Sequence, residues 1–187
     1  MHNTNTKIIP GMIDNSLEFF VVDNIVKAIT AGKVIDFNDF PKPIISLLRN
    51  EMLKSPEVIN ALEQMHPSDE IKQLEQFVKC RFGGIDMTAD IVEGKIQDGE
   101  YWPCPNRGNC PHEGILCKLP MYNGKRLTDT EVKLMQLSST EKTNEVIAED
   151  MDMAMGTFHK QKKLLYEFFG VQTKQGITVI GTLLNII

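Results

Sequence analysis

The sequence predicts a mainly α protein: a helical N-terminal domain, a cysteine-rich loop knot and a C-terminal four-helix helix-turn-helix domain. Three observations lead there. From Ser16 onward, apolar residues fall into successive helix-like runs separated by Gly, Pro and capping residues. All four cysteines lie between Cys80 and Cys117, in a stretch rich in Pro and Gly. Residues 127–174 read as a short helix, a turn and a longer basic helix. The expected division is 1–79, 80–122 and 123–187.

In the first part, Ser16 is read as the cap of a helix carrying Leu17, Phe19, Phe20, Val22, Ile25, Val26 and Ile29, closed by Gly32. Val34 to Asp39 is a connection or a strand. Pro41 and Pro43 mark a break before a helix over Ile44 to Leu53. Ser55-Pro56 places a cap before a proline at the first helical position. Pro67-Ser68 opens a further helix with Ile71, Leu74, Phe77 and Val78 on one side. Gly83-Gly84 ends the series. Ile85 to Trp102 is less regular and is read as a short helix and one extended segment.

The second part contains Cys104, Cys110 and Cys117 at the spacing C-x5-C-x6-C, with Cys80 upstream at the end of a helix. Thiolates in a loop with tight turns can wrap a tetrahedral metal. Pro105 and Pro111 follow two of the cysteines, and Gly108 and Gly114 permit such turns. The expected ligands are Cys80, Cys104, Cys110 and Cys117, with His112 as a substitute for Cys80. Zinc is the expected metal. An iron-sulfur cluster and unmetallated thiols remain alternatives.

In the third part, Thr128 and Glu131 form a capping box flanked by Leu127 and Val132. Val146, Ile147 and Met151 fit a second helix. A third starts near Gly156, carries Phe158, Leu164, Leu165, Phe168 and Phe169, and ends at Gly170. Leu127-Thr128 with Glu131, Thr143-Asn144 with Ile147-Ala148, Gly156-Thr157-Phe158 and Phe169-Gly170-Val171 fall in register over this last third. Together they resemble the LuxR/GerE-type DNA-binding domain of bacterial transcription regulators. Thr130, Glu141, Lys142 and Ala154 depart from the family pattern, Ala154 standing where a Ser usually caps the recognition helix.

The resemblance implies a recognition helix in the major groove of double-stranded DNA. Thr157, His159, Lys160 and Lys163 would face the duplex, and Thr143 and Asn144 would meet backbone phosphate. It also implies a homodimer through the last helix, where Ile177, Ile180, Leu183 and Leu184 recur at helical spacing. Lys162 joins Lys160 and Lys163 in a basic cluster. From Lys125 onward 8 basic residues balance 8 acidic ones, so the net charge of −5 belongs to the preceding part. A local basic patch can bind phosphate on an acidic chain.

No apolar run is long enough to span a bilayer. Met1 to Pro10 lack the pattern of a signal peptide, so a cytoplasmic protein without a membrane partner is expected. There is no phosphate loop. Asp86 with Asp90 and Asp98 with Glu100 read as surface carboxylates, and Cys110 with His112 as ligands, so no enzyme is expected. The expected function is a sequence-specific transcription regulator with a structural metal site. The alternatives are a metal-stabilised protein-interaction module and an iron-sulfur redox-sensing regulator.

Overall fold

The computed structural model describes residues 8–187, so most of the Met1 to Pro10 segment lies outside the described residues. The chain divides into two compact units, Met1–Lys118 and Leu119–Ile187. The stretch 80–122, expected to form a segment of its own, falls within the first unit as far as Lys118. The mainly α expectation is overturned. Among the described residues seven α-helices stand beside three small antiparallel sheets, an α+β fold. The C-terminal unit is correspondingly not an assembly of helices alone, because a β-hairpin leads into it.

The largest departure lies at the start. In place of the helix from Ser16 to Gly32 there are β1 (Glu18–Val22) and β2 (Ile25–Thr30), followed by β3 (Lys33–Asp36), paired in the order β1-β2-β3. The turns decide it. Asp23 and Asn24 have φ of 50° and 69°, and Ala31 and Gly32 have 49° and 71°. Two consecutive left-handed residues form the turn whose twist suits a two-residue hairpin. The run is also rich in Val and Ile, which pack well on a pleated surface.

Phe19, Val26 and Ala28 of this sheet share a core with three helices. These are α1 (Lys42–Met52), α2 (Pro56–Met65) and α3 (Glu70–Arg81), which contribute Leu48, Leu62, Leu74, Phe77 and Val78 among others. The Phe19 ring lies 5.5 Å from that of Phe40 and 5.8 Å from that of Phe82. Ser55 caps α2, its Oγ accepting the Val58 amide at 3.4 Å. At α3 the cap is Asp69, whose Oδ1 accepts the Lys72 amide at 3.0 Å. Ile71, assigned to the apolar side, is 64 % exposed.

No helix forms between Ile85 and Trp102. A hairpin stands there instead, β4 (Ile91–Val92) and β5 (Lys95–Ile96), turned by Glu93-Gly94 at φ of 50° and 73°. Leu17 and Ile91 exchange both backbone hydrogen bonds at 3.0 Å, which ties this hairpin to the first strand.

The second unit opens with β6 (Met121–Tyr122) and β7 (Lys125–Arg126), joined through Asn123-Gly124. Four helices follow: α4 (Asp129–Ser138), α5 (Asn144–Asp150), α6 (Met155–Phe169) and α7 (Lys174–Leu183). The capping box on α4 is formed: the Thr128 amide donates to Glu131 Oε2 at 2.7 Å, and the Glu131 amide to Thr128 Oγ1 at 3.2 Å. Leu127, Leu134, Met135, Ile147, Phe158, Leu165 and Ile177 are almost fully buried. Tyr122 packs edge-on against Phe169, with ring centroids 4.9 Å apart. Gly170, at φ 65°, ends α6 in the left-handed conformation that favours glycine. No helix among the described residues is long and apolar enough to cross a membrane.

Candidate functional site

The four cysteines come together. Cys80 stands on the last turn of α3, and Cys104, Cys110 and Cys117 lie on the following loop. All four line one small cavity of about 20 Å³, shared with Trp102, Arg107, His112 and Leu116. The loop is a chain of tight turns anchored at the cysteines. The Arg107 amide donates to the Cys104 carbonyl and the Glu113 amide to the Cys110 carbonyl, each at 3.1 Å. Gly108 and Gly114, at φ of 80° and 81°, supply the left-handed residues these turns require.

Arg107 fastens the loop to itself. Its guanidinium donates to the Trp102 carbonyl at 3.0 Å, the Lys118 carbonyl at 3.1 Å and Glu113 Oε1 at 3.3 Å. It also lies 4.0 Å from the centroid of the Tyr101 ring. The same group approaches Cys117 Sγ at 3.6 Å, and the Gly114 amide donates to that sulfur at 3.4 Å.

No disulfide links the four cysteines, and each is a free thiol. Burial pushes the Cys80 thiol up to about 11, the Gln76 amide at 3.0 Å opposes this, and the other three cysteines raise it further. A buried thiol grouped with three others ionises when a cation is there to receive the charge. Two observations test the fit of a metal. The Trp102 Nε1–H is buried without an acceptor, and Trp102 lines the cavity beside sulfurs that become good acceptors as thiolates. Against this, no three of the sulfurs lie within 4.8 Å of one another. A closed tetrahedral zinc site brings its sulfurs to about 3.8 Å. Four thiols are a donor set of the kind zinc accepts, but as placed the sulfurs are too far apart for a closed tetrahedral site.

In the second unit the seven residues assigned to DNA separate into two groups. Thr157, His159, Lys160 and Lys163 are exposed on α6, while Phe158, Leu165 and Phe169 on the same helix are buried. Lys162 does not join them. It is partly buried, and its Nζ donates to Asn144 Oδ1 at 2.9 Å. Burial lowers the Lys162 pKa, and the charge of Lys174 adds to that. Thr143 caps α5, its Oγ1 accepting the Val146 amide at 3.5 Å. Asn144 and Lys162 thus hold α5 against α6. Ala154 leaves the start of α6 without a side-chain cap. On α7, Ile177 is fully buried in its own unit, whereas Val179 and Leu183 are 60 % and 50 % exposed.

The sequence reading passed over Glu18 and took Asp86, Asp90 and Glu100 for surface carboxylates; the structure corrects this, with Asp90 buried and Asp86 and Glu100 partly buried. Glu18, Asp86 and Glu100 offer carboxylate oxygens that all lie within 4.8 Å of one another, with Asp90 buried nearby. One signal was legible: Glu18 sits between Leu17 and Phe19, a charged residue inside an apolar run. Comparison with known proteins finds no matching family model, no similar curated protein and no similar solved structure.

Proposed function

We propose that this chain is a sequence-specific DNA-binding transcription regulator, with α6 as the helix that enters the major groove. The observation that carries this reading is the division of α6 into a buried apolar side and an exposed side bearing Thr157, His159, Lys160 and Lys163. Lysines on such a face bind phosphate, and the shorter side chains reach base edges. The uncapped start of α6 leaves backbone amides free for a phosphate oxygen. Asn144 and Lys162 position the helix pair, and the duplex contacts fall to Thr157, His159, Lys160 and Lys163, with the exposed Thr143 at the backbone. The outer side of α7, with Val179 and Leu183, is the surface on which two copies would pair over two half-sites. In the first unit, Cys80, Cys104, Cys110 and Cys117 would hold one structural zinc.

The test is the double variant Lys160→Ala, Lys163→Ala in the full-length protein. Duplex affinity is expected to fall, and the slope of log K against log salt to flatten by about 0.9 for each phosphate the variant no longer neutralises. Unchanged affinity and slope in a folded double variant would refute the assignment. Elemental analysis is expected to find one zinc per chain. Iron with acid-labile sulfide would replace zinc by a cluster at the same thiols.

A second reading has one observation in its favour. Glu141, Glu145, Glu149 and Asp150 are exposed in and before α5, and like charge opposes DNA phosphate. On that reading the second unit binds a protein partner, and the wild type shows no salt-dependent affinity for any duplex.

A further inference from the structure

The carboxylate cluster of the first unit is separate from the thiol cavity and is made of a different kind of donor. Glu18, at the start of β1, is completely buried. Its Oε1 accepts the Asp86 amide at 2.8 Å. Its Oε2 is buried and has no partner. Glu100 repeats the pattern: one oxygen accepts the Gly84 amide at 2.6 Å, and the other is buried and unpartnered. Asp86 completes the trio and accepts the Thr88 amide on Oδ1. Asp90 stands behind them, its Oδ2 accepting the Phe19 amide at 2.7 Å.

The charges that act on Glu18, Asp90 and Glu100 are those of one another and of Asp86. Burial raises all four above the ordinary carboxylate range, and mutual repulsion raises Glu18, Asp90 and Glu100 further. An orphaned carboxylate oxygen is costly to bury, and here two of them sit in one cluster. The backbone holds them there regardless. The Val21 amide donates to the Gly83 carbonyl at 3.1 Å and the Glu100 amide to the Arg81 carbonyl at 3.0 Å, fixing both flanks. Gly83 is needed for this approach, because a Cβ there would collide with the Lys79 carbonyl and the Trp102 indole.

We propose that Glu18, Asp86 and Glu100 bind a divalent cation of the oxygen-preferring class, Mn²⁺, Mg²⁺ or Ca²⁺. Three carboxylates and no sulfur or imidazole exclude the thiophilic metals as the preferred occupant. Asp86 and Glu100 are only partly buried, so water can complete the coordination shell. The ion would tie β1 to the segment that follows α3. It would also fix Glu100, which precedes Trp102 and Cys104 of the thiol cavity by a few residues. The inference does not depend on the DNA-binding reading.

The experiment is titration of the full-length protein with Mn²⁺ at pH 8, following the loss of the free-ion electron paramagnetic resonance signal, with a Ca²⁺ thermal-shift series beside it. The expected result is one Mn²⁺ per chain, weakened at least tenfold by Asp86→Asn and unaffected by Glu57→Gln on the distant helix α2. If Asp86→Asn fails to fold, Glu100→Gln takes its place, and the Ca²⁺-induced rise in melting temperature of the wild type is read independently. Stabilisation by Ca²⁺ alone, lost in either variant, also supports the site and selects the larger ion. Absence of both Mn²⁺ uptake and Ca²⁺ stabilisation in folded wild type would overturn it, as would uptake indifferent to both substitutions. In either case protons would be what keeps the cluster neutral.

Discussion

The two units are stabilised by different means. The second, Leu119–Ile187, is built of capped helices around Leu134, Met135, Ile147, Phe158 and Leu165, and its polar groups lie largely at its surface. The first has a comparable apolar core, but it also buries Glu18 and Asp90 beside the partly buried Asp86 and Glu100, and gathers four partly buried thiols around a loop of turns. Groups of that kind destabilise a fold when left alone and fasten it when a cation receives them. On the proposed reading, the first unit depends on what it binds, whereas the second depends on its own packing.

The largest effect that would sharpen this contrast is loss of the thiol site. Cys110→Ser, or a strong chelator, should release the metal and lower the melting temperature of the first unit by on the order of 10 °C, leaving α4 to α7 unaffected. Calorimetry on the full chain reads both units at once. Stability indifferent to chelator, with no zinc or iron found, would leave the cysteines as packing residues.

The complementary change falls on the second unit. Phe158→Ala removes a fully buried ring and should cost about 3–5 kcal/mol. Denaturant unfolding should locate the destabilisation in the four-helix region without altering metal content.

A pH effect comes next. In metal-free protein, Glu18 is raised from 4.5 to about 8 and Glu100 from 4.5 to about 9, chiefly by burial. A raised carboxyl binds its proton more tightly in the folded state. Its stabilisation is therefore complete below about pH 4.5 and is lost as pH rises through 8 to 9. Melting temperature measured in chelator should fall across that window, and Glu18→Gln should flatten the fall. A profile for Glu18→Gln that follows the wild type would count against the burial of an ionisable cluster.

The smallest effect is Ala154→Ser, which supplies the missing cap of α6 and should stabilise the second unit by roughly 1 kcal/mol or less. It should leave the first unit unchanged.

Legibility in the sequence follows the same division. The helices of the second unit were readable because their signals are local. Thr128 and Glu131 are three residues apart and meet as a capping box, and Gly170 ends α6 where glycine was expected to. The first strands were not, since the apolar residues from Leu17 to Ile29 are dense enough to be read as a helix, although those the structure buries, Leu17, Phe19, Val26 and Ala28, alternate within each segment. The deciding signal lay in the turns, at Asp23-Asn24 and Ala31-Gly32. The cysteines were legible as a group because three sit within one short loop. The carboxylate cluster was not, because Glu18 meets Asp86 across 68 residues and only the folded sheet brings them together. Lys162 was assigned to DNA because it clusters with Lys160 and Lys163 on one helix, but its bond to Asn144, 18 residues away, depends on how α5 and α6 pack.

The central functional claim rests on α6 acting as a DNA-reading helix. Its most direct test is binding of the full-length wild type to a library of duplexes across a range of salt concentrations. The account predicts selection of a two-part site, with log K falling linearly against log salt at about −0.9 per phosphate neutralised. Failure to enrich any sequence, together with affinity indifferent to salt, would contradict it.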